Sequence, residues 1–170
     1  MPFSIGLINP KAATNVAAIL RAAGCFGASA IFYTGTRFRF AKDNHPQFAQ
    51  DTKEFRKKIP TVGVENLFDF VPAGAKIVVV ELVENALPLP EFSHPENAFY
   101  ILGPEDGSVS QAIVNKADAV VYIPCRSNLN LAATASVLFY DRSVKLGYDN
   151  SKDAMDKARD NNNNLTWRKD

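Results

Sequence analysis

Cysteine and histidine are scarce in this 170-residue chain, which holds two of each. Cys25 and Cys125 lie far apart, with no partner at metal-ligand spacing. That argues against a thiolate metal centre and, in a reducing compartment, against a disulfide. Both are expected to be small apolar packing residues. His45 and His94 sit in Pro-flanked polar loops, NHPQ and SHPE, and are expected on the surface with no metal. No apolar run approaches bilayer length, and the start MPFSIGLINP lacks the basic stretch and long apolar core of a secretory signal. A cytoplasmic protein with no membrane partner is therefore expected. No phosphate-binding GxxxxGK[ST] loop occurs, nor GxGxxG after the first strand, so neither ATP nor NAD is favoured. No internal repeat is evident.

The sequence does have enough apolar material for a sizeable core: 46% of residues are hydrophobic. Net charge is only +1, but it is unevenly spread. Residues 37–58 carry seven Lys or Arg against three Asp or Glu, whereas 59–148 carry five against ten. Phe38, Phe40, Phe48 and Phe55 thread the basic segment. Charge for phosphates interleaved with stacking surface suits single-stranded or looped RNA, and Arg37, Arg39, Lys42, Lys53, Arg56 and Lys57 are the candidate RNA contacts. The alternative is a solvated loop whose phenylalanines pack inward.

Short β-rich apolar runs stand at 3–8, 30–34, 76–82, 98–102 and 119–124. Helical patterns lie between them. Thr14 or Asn15 is placed to cap a helix to about Ala23, 65–71 suits a short helix, Ser108 or Ser110 opens one through Lys116, and Asn130 opens the longest, to Leu146. Strands alternating with helices predict an α/β fold with a mostly parallel sheet flanked by helices. One domain is expected over 1–148, followed by a polar tail, 149–170, read as largely disordered or late-docking.

Within the first helix, Val16, Ile19, Leu20 and Ala23 form a buried stripe at i, i+3, i+4, i+7 spacing. Arg21 lies nearly opposite it, at about 100° per residue. An arginine there is a solvated charge unless something else engages it. Parallel α/β sheets place ligands at the carboxyl ends of strands, and three turns in such positions are rich in small residues, turn formers and amides: INPKAATN, ILGPEDGS and IPCRSNLNL. Together they predict one pocket. Gly103 permits close backbone approach, Pro104 stiffens its turn, and Glu105 supplies an acceptor or a helix N-terminal charge.

These segments, in this order, resemble the SpoU/TrmH family of the SPOUT class of RNA methyltransferases. The resemblance rests on Asn15, Arg21 and Phe26-Gly27; on LGPE at 102–105; and on Ile123-Pro124 followed by Leu129-Asn130. It spans about residues 3–147. DTKEFRKKIP (51–60) is similar to a compact, single-domain branch of that family. The resemblance implies a Rossmann-like sheet with a C-terminal deep trefoil knot, a homodimer, S-adenosylmethionine as cofactor, and methylation of a ribose 2′-hydroxyl in tRNA or rRNA. It implies Arg21, Asn15, Glu105 and Asn130 as the catalytic set. Leu82, Leu102, Gly103, Ile123, Asn128 and Leu129 would hold the cofactor, and no metal is required. Two roles for Arg21 stay open: a base once a substrate phosphate draws off a proton, or a bidentate clamp on that phosphate.

Asn128 and Ala132 stand where many members of the family have serines, Ala17 replaces a common glycine, and Gly107 sits one position early. Two other readings stay open: a catalytically silent RNA-binding homologue with the same fold, and an unrelated flavodoxin-like domain binding a small molecule. The small faces of Ala132, Ala133 and Ala135 are where close approach between subunits is expected.

Overall fold

The structure, a computed structural model, describes residues 1–39, 58–159, 162–163 and 165–167. Seven strands form one sheet: β1 (Phe3–Leu7), β2 (Ala30–Tyr33), β3 (Thr61–Gly63), β4 (Lys76–Val80), β5 (Leu87–Pro88), β6 (Ala98–Leu102) and β7 (Ala119–Tyr122). Their order is β3-β2-β1-β6-β4-β7-β5, and every neighbouring pair is parallel. The five apolar runs all became strands. β3 and β5, with three and two residues, are too short to show a period of their own.

Helices accompany the sheet at α1 (Ala13–Cys25), α2 (Gln111–Val114), α3 (Leu131–Leu146) and α4 (Lys152–Ala158). Single 3-10 turns occupy Leu67–Phe70 and Leu89–Glu91. Strand alternation divides the core into two layers. Tyr100 and Leu102 of β6 and Val78 and Val80 of β4 point into the layer shared with α1 and α3, whereas Phe99, Ile101 and Val79 join Leu67 and Val109 on the other face. β1 and β6 are buried at all five positions, as central strands covered on both sides must be.

α1 buries Ala13, Val16, Ile19, Leu20 and Ala23, the stripe expected of it, and packs against α3. Its N-cap is Ala12, which has no side-chain bond. Asn15 is one turn inside the helix and is occupied elsewhere, so neither expected cap forms. Asn130 does cap α3, its Oδ1 accepting the Ala133 N–H at 2.7 Å. Ala132 and Ala135 are buried in the core of their own chain, which removes two of the three alanines from a subunit contact. The apolar surface that α3 leaves exposed is instead Val137, Tyr140 and Val144. In the tail, expected to be largely unstructured, Ser151 caps α4 by accepting the Ala154 N–H.

Neither cysteine is a core residue: both are exposed, Cys25 at the end of α1 and Cys125 in the loop after β7. His94 also departs from expectation, since its side chain is fully buried. Nε2 lies 2.9 Å from Asp141 Oδ2 and Nδ1 lies 2.6 Å from the Tyr100 hydroxyl. The carboxylate accepts, so Nε2 carries the proton and Nδ1 accepts from tyrosine. Arg142, buried in α3, donates to the Tyr100 hydroxyl at 3.0 Å and to the carbonyls of Pro95 and Glu96, both at 2.6 Å. Lys145 completes the set by pairing with Asp141 at 2.8 Å. This network ties α3 to the chain leading into β6. Burial pushes the Tyr100 phenol up to about 12.

Burial lowers the His94 pKa from its ordinary 6.5 against the pull of Asp141. The unfolded chain therefore binds the proton more readily than the folded one. Stability measured by urea unfolding should fall as pH drops through 6.5, by at most about 1.4 kcal/mol per pH unit for one proton. In His94→Gln that part of the slope should vanish.

Candidate functional site

Beyond the carboxyl ends of β4, β6 and β7 lies an open cleft of about 960 Å³, at the upper end of the size range for small-molecule sites, about 300–1,000 Å³. The turn after β6 and the loop after β7 form most of its wall, joined by Asn15 from α1 and by Glu81 and Leu82 after β4. The predicted meeting of three turns is therefore present. Leu82, Leu102, Gly103, Ile123, Asn128 and Leu129 all line the cleft, as do Asn15, Glu105 and Asn130. Arg21 does not.

Glu105 joins the first turn to the second. Its carboxylate accepts the Lys11 N–H at 2.8 Å, the Ala12 N–H at 3.0 Å and the Asn15 side-chain amide at 3.0 Å. Partial burial pushes its pKa up, but the amides of Ala12 and Lys11 and the Asn15 side chain outweigh that and hold it below the ordinary 4.5. The anion sits where α1 begins, so the carboxylate also meets the positive end of that helix. Asn15 is oriented by the same bond: its Nδ2 donates inward, and its Oδ1 is left as an acceptor.

Arg37 sits beside this junction. Its Nη1 alone donates to both oxygens of Asp106, at 2.8 and 2.9 Å, while Nε donates to the Asn9 carbonyl at 3.0 Å and Nη2 reaches the same carbonyl. Lys11 pairs with Asp106 at 3.3 Å. The Arg37 guanidinium, with Lys11 beside it, holds the Asp106 carboxyl below its ordinary value. Gly35, at φ +76°, permits this fit, since a Cβ there would stand 2.2 Å from Asn9 Oδ1. Arg37, expected to contact RNA, thus spends its fork on the protein. Arg39 is exposed, whereas Lys42, Lys53, Arg56 and Lys57 lie outside the described residues. Phe38 packs inward, edge-on to Tyr33 at 4.8 Å.

Arg21 is exposed and forms no hydrogen bond or ion pair with a described residue. Six residues beyond Asn15, it stands about 9 Å along α1 and about 120° around it. Within one chain, Arg21 and Asn15 face different directions.

The donor set suits S-adenosylmethionine. Leu82 and Leu129 are 69% and 40% exposed, giving the cleft bare apolar surface for a flat base, with carboxylates and amides at its edges. Glu81 was not singled out in the sequence. Its signal was an acid near the end of the apolar run KIVVVEL. Among the described residues no group of His, Cys, Asp or Glu is arranged to hold a metal, and no helix is long and apolar enough to cross a membrane.

A family model described as the SpoU rRNA methylase family matches residues 2–140. The 23S rRNA (guanosine-2′-O-)-methyltransferase RlmB of Acinetobacter baylyi is 25% identical over 132 residues, which are 75% of this chain and 53% of that protein. The chain thus spans about half the length of this curated relative. Two solved structures share the fold. The A. aeolicus TrmH/SpoU tRNA modifying enzyme has a TM-score of 0.67 at 20% identity, covering 92% of this chain and 84% of its own. The SpoU methyltransferase AviRb from Streptomyces viridochromogenes, in complex with AdoMet, has a TM-score of 0.70 at 20% identity, covering 84% and 57%.

Glu105→Ala removes the acceptor for two backbone amides and should cost about 1–2 kcal/mol in urea unfolding at pH 7. Because its pKa is depressed in the folded state, this contribution is present above pH 4.5 and lost as pH falls through the folded value. The gap between wild type and variant should therefore narrow below pH 4.5.

Proposed function

Since the chain belongs to the SpoU rRNA methylase family, matched over residues 2–140, we propose that it transfers a methyl group from S-adenosylmethionine to a ribose 2′-hydroxyl of tRNA or rRNA. The observation that carries this reading is the Glu105 junction, which holds Asn15 at the wall of a cleft lined by every proposed cofactor contact.

S-adenosylmethionine, when bound, supplies a methyl on a sulfonium that departs as a neutral thioether, so no metal is required. The protein's task is alignment of hydroxyl, methyl and sulfur. Leu82, Leu102, Gly103, Ile123 and Leu129 hold the adenosine through apolar contact and backbone, with the amide of Asn128 beside them. Asn15, fixed through Nδ2 by Glu105, offers Oδ1 to the substrate ribose. Asn130 has Oδ1 committed to its helix cap and Nδ2 available to the cleft. A charged guanidinium has five N–H donors and no acceptor, so Arg21 acts first as a clamp on a substrate phosphate and takes the hydroxyl proton only if that phosphate draws off one of its own.

The direction of Arg21 supports a second subunit: exposed and turned away from Asn15, it serves the cleft of the partner in a homodimer. Val137, Tyr140 and Val144, an exposed apolar row on α3, form that interface, and a trefoil knot surrounds the cofactor. RNA lies along Arg39 and the basic segment, including Lys42, Lys53, Arg56 and Lys57, and the enzyme works in the cytoplasm. Of the two replaced serines that favour a silent homologue, only Asn128 lines the cleft; Ala132 is in the core.

Purified protein should transfer labelled methyl from S-adenosylmethionine into the ribose of total RNA from a strain lacking this gene. Arg21→Ala should lower the rate by about 100-fold or more while leaving cofactor affinity within about threefold. No transfer by the native protein, with cofactor binding intact, would favour the silent homologue. Coexpressed Arg21→Ala and Glu105→Ala chains should recover about a quarter of wild-type turnover by random pairing, one intact cleft per mixed dimer. Failure of that recovery would place Arg21 in its own chain's site.

A further inference from the structure

Glu81 follows the buried end of β4 and faces the cleft. Each of its oxygens holds one backbone amide: Oε1 accepts the Leu82 N–H at 3.0 Å, and Oε2 accepts the Val109 N–H at 2.9 Å. A carboxylate oxygen has about two acceptor positions, so one stays unspent on each. No cation among the described residues pairs with it. The result is an immobilised pair of acceptors, side by side, in a cleft wall.

Gly103 keeps the approach open. A Cβ there would come within 3.2 Å of Glu81 Oε2 and 3.1 Å of Val109 Cγ2, tighter than side chains ordinarily pack. Next to the carboxylate lies the bare apolar surface of Leu82. Two matched acceptors beside apolar surface fit a ligand with two hydroxyls on adjacent carbons, attached to a flat ring. A lone ammonium would fill one of the two open acceptor positions and leave the other unused. In dinucleotide-binding α/β folds, too, an acid beyond a strand's carboxyl end takes ribose hydroxyls.

We propose that Glu81 is the ribose-binding residue for the cofactor, its carboxylate accepting both vicinal hydroxyls of the adenosine. This rests on S-adenosylmethionine being the cofactor. Glu81 thereby sets the rotation of the adenosine about the cleft and the direction in which the sulfonium methyl is presented.

The test is calorimetric titration of 5′-methylthioadenosine and its 2′-deoxy and 3′-deoxy analogues into wild type, Glu81→Gln and Glu81→Asp. Thermal melts establish that each variant is folded. Wild type should prefer the ribonucleoside by tenfold or more over either analogue. In Glu81→Gln, which retains one acceptor for the backbone amides, the preference should fall to within about threefold. Glu81→Asp, whose shorter arm keeps the charge but withdraws it from the hydroxyls, should lose it likewise. An undiminished preference in folded variants would overturn the proposal. So would a variant that loses only the extra affinity of S-adenosylhomocysteine over 5′-methylthioadenosine, since that would move Glu81 to the amino-acid end. Failure of wild type to bind S-adenosylmethionine at all would instead sink the methyltransferase reading, and this proposal with it.

Discussion

The candidate site depends on one carboxylate. Glu105 reaches across some ninety residues of sequence to accept two backbone amides and the Asn15 side chain. Without it, the start of α1 would present unpaired N–H groups to the cleft, and Asn15 would have no fixed orientation. Three donors converging on it favour the charged form, which accounts for its depressed pKa. The neighbouring Arg37, bonded to the Asn9 carbonyl and to Asp106, stiffens the same junction from outside. Two turns far apart in the sequence are thereby held as one surface.

Much of this was legible because the relevant signals are local. Five strands announced themselves as β-rich apolar runs, the stripe of α1 by its spacing, and Asn130 as the cap of α3. The turns were recognisable by composition, and the principle that ligands gather at strand ends brought them together. What escaped was long-range or polar. The role of Arg37 depends on Asp106, 69 residues away, and a basic neighbourhood in the sequence points outward to RNA rather than inward. β5 is two residues of edge strand whose existence depends on pairing with β7. Arg21 was correctly placed away from its sheet, but spacing alone does not say what it faces.

The buried polar network under α3 shows the same limit from the other side. His94 stands between a serine and a proline in a stretch that reads as surface, and nothing local marks it for burial. Its environment comes from Tyr100 on β6 and Asp141 on α3, each of which satisfies one ring nitrogen. Arg142 is tolerated in the interior because carbonyls and a phenol surround its fork. Such a cluster costs desolvation and contributes little net stability over apolar packing. Its geometry nevertheless admits a single seating of α3, the helix whose N-terminus closes the cleft.

β6 joins the two wings of the sheet, with β1, β2 and β3 on one side and β4, β7 and β5 on the other. Every strand of the first wing, and β4 and β5 of the second, emerges from the ribosome before it. During synthesis, at about 5–20 residues per second, the nascent chain therefore carries two open, apolar strand edges that belong together and have nothing yet between them. The order of translation brings the sheet's central strand out after five of the other six, with β7 still to follow. A chaperone or a fast local collapse that keeps β1 and β4 from pairing directly would guard the gap that β6 must enter.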